Sequence, residues 1–329
     1  MNTTRIRSIH GASLRFLAVV ILTVVVPFLW AGGSSEGDTG EEESVEETRG
    51  PVTVASKIDT EGSLLGYMMV HILEDAGFEV DNQVEFGPTD VIRRAITSDE
   101  IDLYPEYTGN GAFFFDEADS DVWKDPEEGY ERVKQLDREA NDLIWLTPGR
   151  ANNTWAIAVR SELADEGVET MEDIGPWMAD GNEFKLAASE EFVSRPDVLP
   201  AFEETYDFEL EQSDMLVFSG GNTATTMQAA ARNQDGVNAA MAYGTDGQLA
   251  ALGLVVLEDT KRVQPVYLPA PVVRAEILEE YPEIEELLTP VFESLDRETL
   301  QELNASIAVE GQSAEVVAEE YLRSGDFTD

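Results

Sequence analysis

The chain has 329 residues, 43% of them hydrophobic, which is enough for one large domain or two. It contains no cysteine, which excludes disulfides, thiolate metal sites, cysteine nucleophiles and a lipid-modified N-terminal cysteine. With 67 acidic and 21 basic residues the formal net charge is −46, which argues against nucleic-acid binding and indicates adaptation to a saline environment.

The N-terminus is typical of a secretory signal peptide. Arg5, Arg7 and Arg15 precede an apolar segment at 16–29, and small residues follow it. We therefore predict a signal peptide over residues 1–31, without a lipobox cysteine. An uncleaved anchor is the alternative, although the apolar segment is short for a membrane span of ~20 residues. Either interpretation places the rest of the chain outside the cytoplasm, in the periplasm or at the cell surface.

The segment at 32–50 is acidic and polar, which predicts a disordered linker. From residue 51 onward, short strands and helices alternate. The sequence predicts strands at 52–55, 78–80, 101–104, 155–159, 185–188, 236–243 and 270–274. It predicts helices at 64–76, 91–96, 171–177 and 223–232, and mainly helical structure at 276–322. This alternation predicts an α/β fold with mostly parallel sheets.

The sequence lacks the short motifs of common enzymes. It has no Gly-x-Ser-x-Gly, no His-Glu-x-x-His and no phosphate-binding glycine loop with a lysine, and its two histidines are His10 and His71. We therefore predict a protein that is not an enzyme and that uses no cofactor and no metal. A secreted halophilic hydrolase that uses paired carboxylates and a surface adhesion protein are the alternatives from other classes.

Four aromatic residues lie beside small or turn-forming residues rather than in element interiors: Tyr107, Trp155, Tyr243 and Tyr267. Such positions suit side chains that converge on a cleft. Aromatic faces carry negative electrostatic potential, so a box of them can hold a quaternary ammonium ion, which offers no hydrogen-bond donor. These residues predict a solute-binding site for a small cation of that class.

Two cations also follow predicted strands. Lys57 precedes the first helix, and Arg195 lies in a loop after the strand at 185–188. Ligands of open α/β sheets bind at the carboxyl ends of strands, so both positions suit an anionic group of a ligand. Ordinary surface cations paired with nearby carboxylates remain the alternative.

Seven short motifs occur in one order along the chain: SKIDTE at 56–61, DLYPEYTG at 102–109, NNTWAIAV at 152–159, FVSRPD at 192–197, AYGTDG at 242–247, LVVLED at 254–259 and APVVR at 270–274. Together they resemble the osmoprotectant (glycine betaine, carnitine and choline) binding proteins of ABC importers. The resemblance covers residues 51–323, nearly the whole of the exported part.

The resemblance implies a two-lobed periplasmic-binding-protein-like fold of type II, with the ligand in the interlobe cleft. It implies that residues 51–151 and 267–329 form one lobe and that residues 152–266 form the other. It also implies two crossings between the lobes, near residues 151–154 and 266–271, and a monomer that delivers its ligand to an ABC permease in the membrane.

The family's ligand residues carry over by motif. Tyr107, Trp155, Tyr243 and Tyr267 match the aromatic box. Lys57 and Arg195 match the two cations that hold a ligand carboxylate, and Asn110 assists them. Trp155 stands where tyrosine is usual and Asn110 where threonine is frequent, which alters the box volume and the ligand preference.

The joint presence of the two cations favours a zwitterion, and we predict glycine betaine. A choline- or carnitine-preferring protein of the same fold is the alternative, and choline is less suited because it carries no carboxylate.

Overall fold

The structure, a computed structural model, describes residues 49–219 and 223–328. The predicted signal peptide and most of the predicted linker lie outside these residues. The first strand begins at Arg49, inside the predicted linker, because Arg49 pairs with Phe78 and its backbone N–H donates to the Gly77 carbonyl at 3.5 Å.

In chain order the strands and α-helices are β1 (Arg49–Lys57), α1 (Thr60–Asp75), β2 (Phe78–Gly87), α2 (Thr89–Thr97), β3 (Leu103–Tyr107), α3 (Gly111–Phe114), α4 (Pro126–Asn141), β4 (Leu143–Trp145), β5 (Trp155–Arg160), α5 (Ser161–Asp165), α6 (Ile174–Ala179), β6 (Leu186–Ser189), α7 (Glu190–Ser194), α8 (Leu199–Tyr206), β7 (Met215–Phe218), α9 (Thr223–Ala231), β8 (Ala239–Tyr243), α10 (Gln248–Ala251), β9 (Leu254–Val256), β10 (Pro269–Arg274), α11 (Ala275–Glu280), α12 (Glu283–Glu293), α13 (Arg297–Ala308) and α14 (Ala314–Ser324).

These strands form two five-stranded sheets, one in each lobe. The first sheet has the order β2-β1-β3-β10-β4 and defines lobe 1, and the second has the order β7-β6-β8-β5-β9 and defines lobe 2. Helices cover both sheets, so the predicted α/β, two-lobed architecture is confirmed.

The expectation of mostly parallel sheets is wrong, because both sheets are mixed. β10 runs antiparallel to β3 and β4, and β5 runs antiparallel to β8 and β9. Both β5 and β10 follow a connection from the other lobe and are therefore not constrained by a crossover helix to run parallel to their neighbours.

Each sheet is buried on both faces. In lobe 1, Val52 and Val54 pack with α1 and the C-terminal helices, while the opposite face packs against α2 and α4 around Trp123 and Trp145. In lobe 2, one face packs on α7 and α8 and the other on α9 and α10. Full burial of a large apolar side chain contributes about 1.5–3 kcal/mol to the stability of the fold. Because many such side chains pack on both faces of each sheet, the strand ends and the loops that follow them are held in a fixed position.

Two chain segments connect the lobes, one leading into β5 and the other into β10. They run side by side: the Asn153 N–H donates to the Tyr267 carbonyl at 3.0 Å, the Tyr267 N–H donates to Asn152 Oδ1 at 2.8 Å, and Thr154 Oγ1 donates to the Pro265 carbonyl at 2.8 Å. These bonds satisfy backbone groups between the two sheets and hold the two connections together.

Several predicted elements differ in extent. β3 begins at Leu103 and ends at Tyr107, later than the strand predicted at 101–104, and β8 begins at Ala239 because a 3-10 turn occupies Gln234–Gly236. Among the residues that the structure describes, no helix has the length and apolar character needed to span a membrane.

Candidate functional site

A cleft of about 630 Å³ lies between the lobes, and all seven predicted site residues border it: Lys57, Tyr107, Asn110, Trp155, Arg195, Tyr243 and Tyr267. The volume lies within the range typical of small-molecule sites, about 300–1,000 Å³. The structure therefore brings together residues that are 210 positions apart in the sequence, from Lys57 to Tyr267 (267 − 57).

The lobe 1 side of the cleft is built on the carboxyl ends of β1 and β3. Lys57 ends β1 and Tyr107 ends β3, and the Lys57 ammonium lies 4.6 Å from the centre of the Tyr107 ring. Their side chains are nearly inaccessible, since Tyr107 is 7% exposed and Lys57 is 5% exposed. Such burial fixes both groups before a ligand arrives.

Glu106 is the buried counterion of this wall. Its carboxylate pairs with the Lys57 ammonium and also accepts hydrogen bonds from the Tyr104 hydroxyl at 3.2 Å, the Tyr107 N–H at 2.7 Å and Asn110 Nδ2 at 2.7 Å. The two lobe 1 donors predicted for a ligand carboxylate, Lys57 and Asn110, thus already contact a carboxylate of the protein. Their charge and hydrogen bonds are balanced within lobe 1.

A second buried carboxylate, Glu61, lies in the first turn of α1. Its Oε1 accepts from the Tyr107 hydroxyl at 2.7 Å and from Asn153 Nδ2 at 3.1 Å, and its Oε2 accepts from Asn304 Nδ2 at 2.7 Å. Burial raises the pKa of Glu61, although the hydrogen bonds it accepts act in the opposite direction. Burial, followed by the nearby Glu61 charge, likewise raises the pKa of Tyr107, so its hydroxyl remains a donor.

The lobe 2 side of the cleft carries Trp155 and Tyr243 on neighbouring strands. Trp155 opens β5 and Tyr243 closes β8, the two residues are paired in register, and their rings lie 6.3 Å apart at 32°. The Trp155 indole N–H is buried and makes no hydrogen bond of normal geometry. Burial raises the pKa of Tyr243, and the nearby indole N–H lowers it by a smaller amount.

Arg195 follows α7 and lies over the indole, with its guanidinium carbon 4.9 Å from the Trp155 ring. Its guanidinium donates to Asp197 through two bonds of 3.0 and 2.6 Å and to Glu191 through one of 3.1 Å. All three side chains are partly exposed, at 35%, 60% and 56% for Arg195, Asp197 and Glu191. Exposed ion pairs of this kind are weak, so a ligand carboxylate can compete for the guanidinium.

Tyr267 lies in the second connection between the lobes and packs on Gly109. A Cβ at Gly109 would lie 2.8 Å from the Tyr267 ring, so glycine is required for this close contact. Burial raises the pKa of Tyr267 to about 12.

The C-terminal helix α13 closes one end of the cleft. Gln301 Nε2 donates to the Gly244 carbonyl at 2.8 Å, and Asn304 Nδ2 donates to the Thr245 carbonyl at 3.0 Å. A Cβ at Gly247 would lie 2.2 Å from the Ala305 nitrogen, so this loop of lobe 2 contacts the helix backbone directly. Lobe 1 therefore contributes a helix far from β1 and β3 in sequence.

Sequence reasoning missed several of the residues that border the cleft, namely Asp59, Glu61, Asn153, Asp246 and Asn304. Four acids border the cleft (Asp59, Glu61, Asp197 and Asp246) against two cations (Lys57 and Arg195), which gives it a formal charge of −2 (2 − 4). Burial raises the pKa of Asp246 as well. A cleft with a negative formal charge and several aromatic faces can attract a cationic group.

Comparisons with known proteins agree with this geometry. Residues 50–324 match the model of a family described as the substrate binding domain of ABC-type glycine betaine transport system. The chain is 56% identical over 279 residues to the glycine betaine-binding protein YehZ of Escherichia coli (strain K12), covering 84% of this chain and 92% of that protein. It is 34% identical over 283 residues to a glycine-betaine-binding protein of Pseudomonas aeruginosa, covering 84% and 88%. A solved structure of apo YehZ superposes with a TM-score of 0.80 at 56% identity and covers 84% of this chain and 99% of that one.

Proposed function

The chain belongs to the family of substrate-binding domains of ABC-type glycine betaine transport systems, and from that premise we propose that its cleft binds glycine betaine for delivery to a membrane permease. The observation that carries the proposal is the convergence of four aromatic rings from both lobes on one acidic cleft. A quaternary ammonium ion offers no hydrogen-bond donor, so its attraction must come from aromatic faces and from nearby negative charge.

In this proposal Tyr107, Trp155, Tyr243 and Tyr267 surround the trimethylammonium group. Each desolvated cation–π contact is worth about 2 kcal/mol, so several of them support micromolar binding after the cost of association. Because both lobes supply aromatic rings, the bound ligand favours the state in which the lobes are closed around it.

Arg195 is the main partner of the ligand carboxylate in this proposal. Its exposed ion pairs leave the guanidinium able to turn to a ligand, whereas Glu106 balances the charge of Lys57 and accepts from Asn110. Lys57 and Asn110 retain further N–H groups and contribute as secondary donors.

The remaining predictions belong to the same proposal. Residues 51–151 and 267–329 would move as one lobe and residues 152–266 as the other, hinged at the paired connections near Asn153 and Tyr267. The protein would be an exported monomer, without a cofactor or an enzymatic activity, in the periplasm or at the cell surface. Choline or carnitine as the preferred ligand remains the second candidate. The acidic cleft suits choline, a cation without a carboxylate, and carnitine carries the same two charged groups as glycine betaine.

Calorimetric titration of the purified protein with glycine betaine and choline, at high salt, tests the proposal. We expect saturable binding of glycine betaine, and a loss of at least about 30-fold in affinity, or ~2 kcal/mol, in Arg195→Met. The matched control is Arg323→Met, which removes an exposed arginine that is also paired with a carboxylate, Glu319, on α14.

Choline binding that is stronger than glycine betaine binding would move the proposal to the second candidate. The absence of heat with glycine betaine, choline and carnitine would contradict the proposed function. Turnover of any ligand during the titration would favour the secreted hydrolase instead.

A further inference from the structure

Two buried side-chain polar atoms have no hydrogen-bond partner within residues 49–219 and 223–328: Trp155 Nε1 and Asn304 Oδ1. Both residues border the cleft. One is a donor and the other an acceptor. The indole N–H nevertheless lies near enough to the Tyr243 hydroxyl to lower its pKa, so of the two it is Asn304 Oδ1 that lacks a partner. Buried polar atoms in folded proteins are almost always paired, so an unpaired one at a cavity indicates a group that a ligand engages.

The orientation of the Asn304 amide follows from its neighbours. Its nitrogen lies 2.7 Å from Glu61 Oε2 and 3.0 Å from the Thr245 carbonyl oxygen, and both of these atoms accept hydrogen bonds. The atom between them must therefore be the NH₂ group, and the remaining atom must be the carbonyl oxygen. Since Asn304 is only 5% exposed, bulk solvent has little access to that oxygen.

Asn304 also lies close to the aromatic box. Glu61 bridges the two, because its Oε2 accepts from Asn304 while its Oε1 accepts from the hydroxyl of Tyr107. The cleft, at about 630 Å³, has room for a ligand that extends from the box to this point, since a molecule as small as glycine betaine leaves most of that volume to other groups or to water.

We infer that the cleft contains a second subsite, formed by Asn304 Oδ1 beside Glu61 and the Thr245 carbonyl, which accepts a hydrogen bond from a donor group of the ligand. The inference rests on the proposed function, because it assumes that the aromatic box holds the trimethylammonium group. The ligand class that satisfies both subsites is a quaternary ammonium zwitterion with a hydroxyl or N–H group beyond the box. Glycine betaine has no such donor and fills the first subsite alone.

A matched pair of ligands tests this subsite. Carnitine and γ-butyrobetaine have the same trimethylammonium group, chain length and carboxylate, and they differ by one hydroxyl. A hydrogen bond to a buried unpaired acceptor corresponds to roughly a tenfold change in affinity. We therefore expect calorimetry to give about tenfold tighter binding of carnitine than of γ-butyrobetaine.

Two variants separate the subsite from the contact between the lobes. Asn304→Leu removes the acceptor and also the hydrogen bonds that the Asn304 amide donates to Glu61 and to the Thr245 carbonyl. Gln301→Leu removes only the neighbouring hydrogen bond to the Gly244 carbonyl and alters no group that borders the cleft. We expect Asn304→Leu to reduce the carnitine to γ-butyrobetaine affinity ratio to about one. Gln301→Leu should weaken both ligands equally and keep the ratio near ten.

Equal affinities of carnitine and γ-butyrobetaine for the unaltered protein would overturn the inference, even if Asn304→Leu fails to fold. The same ratio in Asn304→Leu as in Gln301→Leu would overturn it too, because Asn304 would then act only between the lobes. In both cases the proposed function would stand as long as the unaltered protein binds glycine betaine. If the unaltered protein does not bind glycine betaine, the proposed function itself is contradicted.

Discussion

The two walls of the cleft are built differently although both carry aromatic rings and a cation. On the lobe 1 wall, the Lys57 and Glu106 side chains are 6% and 0% exposed. On the lobe 2 wall, Arg195 is 35% exposed and is bound by acids that are themselves mostly exposed. The lobe 1 wall is therefore part of a folded core, while the lobe 2 wall is a surface arrangement that a ligand can reorganise.

The difference indicates that the two walls of the cleft have different roles. A buried charge pair is costly to disturb, because removing one partner leaves the other charge uncompensated in a medium of low polarity. An exposed pair contributes about 0–1 kcal/mol and exchanges readily with water. Substitutions in lobe 1 should thus change stability first, and substitutions in lobe 2 should change affinity first.

The largest expected effect is on the lobe 1 wall. Lys57→Met leaves the buried Glu106 carboxylate without its cation, so the free energy of unfolding should fall by about 3–5 kcal/mol in urea denaturation. Lys124→Met, which removes an exposed partner of Asp121, is the control and should change it by less than about 1 kcal/mol. If Lys57→Met proves as stable as the control, the lobe 1 wall is not a preformed charge pair and the contrast fails.

The next effect is on the lobe 2 wall and concerns affinity. Trp155→Leu removes an aromatic face, and glycine betaine should bind about 30-fold more weakly, which corresponds to ~2 kcal/mol. Trp155→Tyr keeps an aromatic face and should retain most of the affinity. Equal calorimetric affinities for the two variants would show that an aromatic face at this position adds nothing to glycine betaine binding.

A smaller effect concerns the junction between the walls, where Tyr267 packs on Gly109. Gly109→Ala places a methyl group 2.8 Å from the ring and the same distance from the Val266 carbonyl oxygen, so the ring must move. We expect about a tenfold loss of glycine betaine affinity. Gly129→Ala, in α4 and outside the cleft, is the control, and a Cβ there meets its nearest atom at 3.3 Å. Unchanged affinity in Gly109→Ala would mean that the Tyr267 ring does not contact the ligand.

The same contrast explains what the sequence could and could not predict. The sequence singled out four aromatic residues and two cations because they lie beside turn-forming residues or after predicted strands, and Asn110 came only from the resemblance. The roles of those residues stay predictions until a ligand is bound. Glu61 and Glu106 were missed because 67 acids make any single one uninformative. The one available signal was the position of Glu106 inside a short, otherwise apolar and aromatic strand, where a carboxylate requires a buried partner.

Asn304 was missed for a different reason. The sequence predicts mainly helical structure at 276–322, and nothing in the local pattern of α13 shows that one face meets the loop at 244–247 of lobe 2. That contact depends on how the two lobes meet, which no local periodicity encodes. The mixed sheets were missed for the same reason, since the direction of β5 and β10 is set by the connections between the lobes.

The smallest expected effect is a pH dependence on the lobe 2 wall. Hydrogen bonds from Arg195 lower the pKa of Asp197 below its ordinary value. A carboxyl whose folded pKa is lowered contributes stability above its unfolded pKa, and that contribution is lost as the pH falls through the lowered value. The difference in free energy of unfolding between the unaltered protein and Asp197→Asn should therefore be constant above about pH 5 and shrink below about pH 4. Because both side chains are partly exposed, the difference should stay below about 1 kcal/mol at neutral pH. A difference as large as that of Lys57→Met would mean that Arg195 is held as rigidly as the buried pair, and a ligand carboxylate could not then draw it away from Asp197.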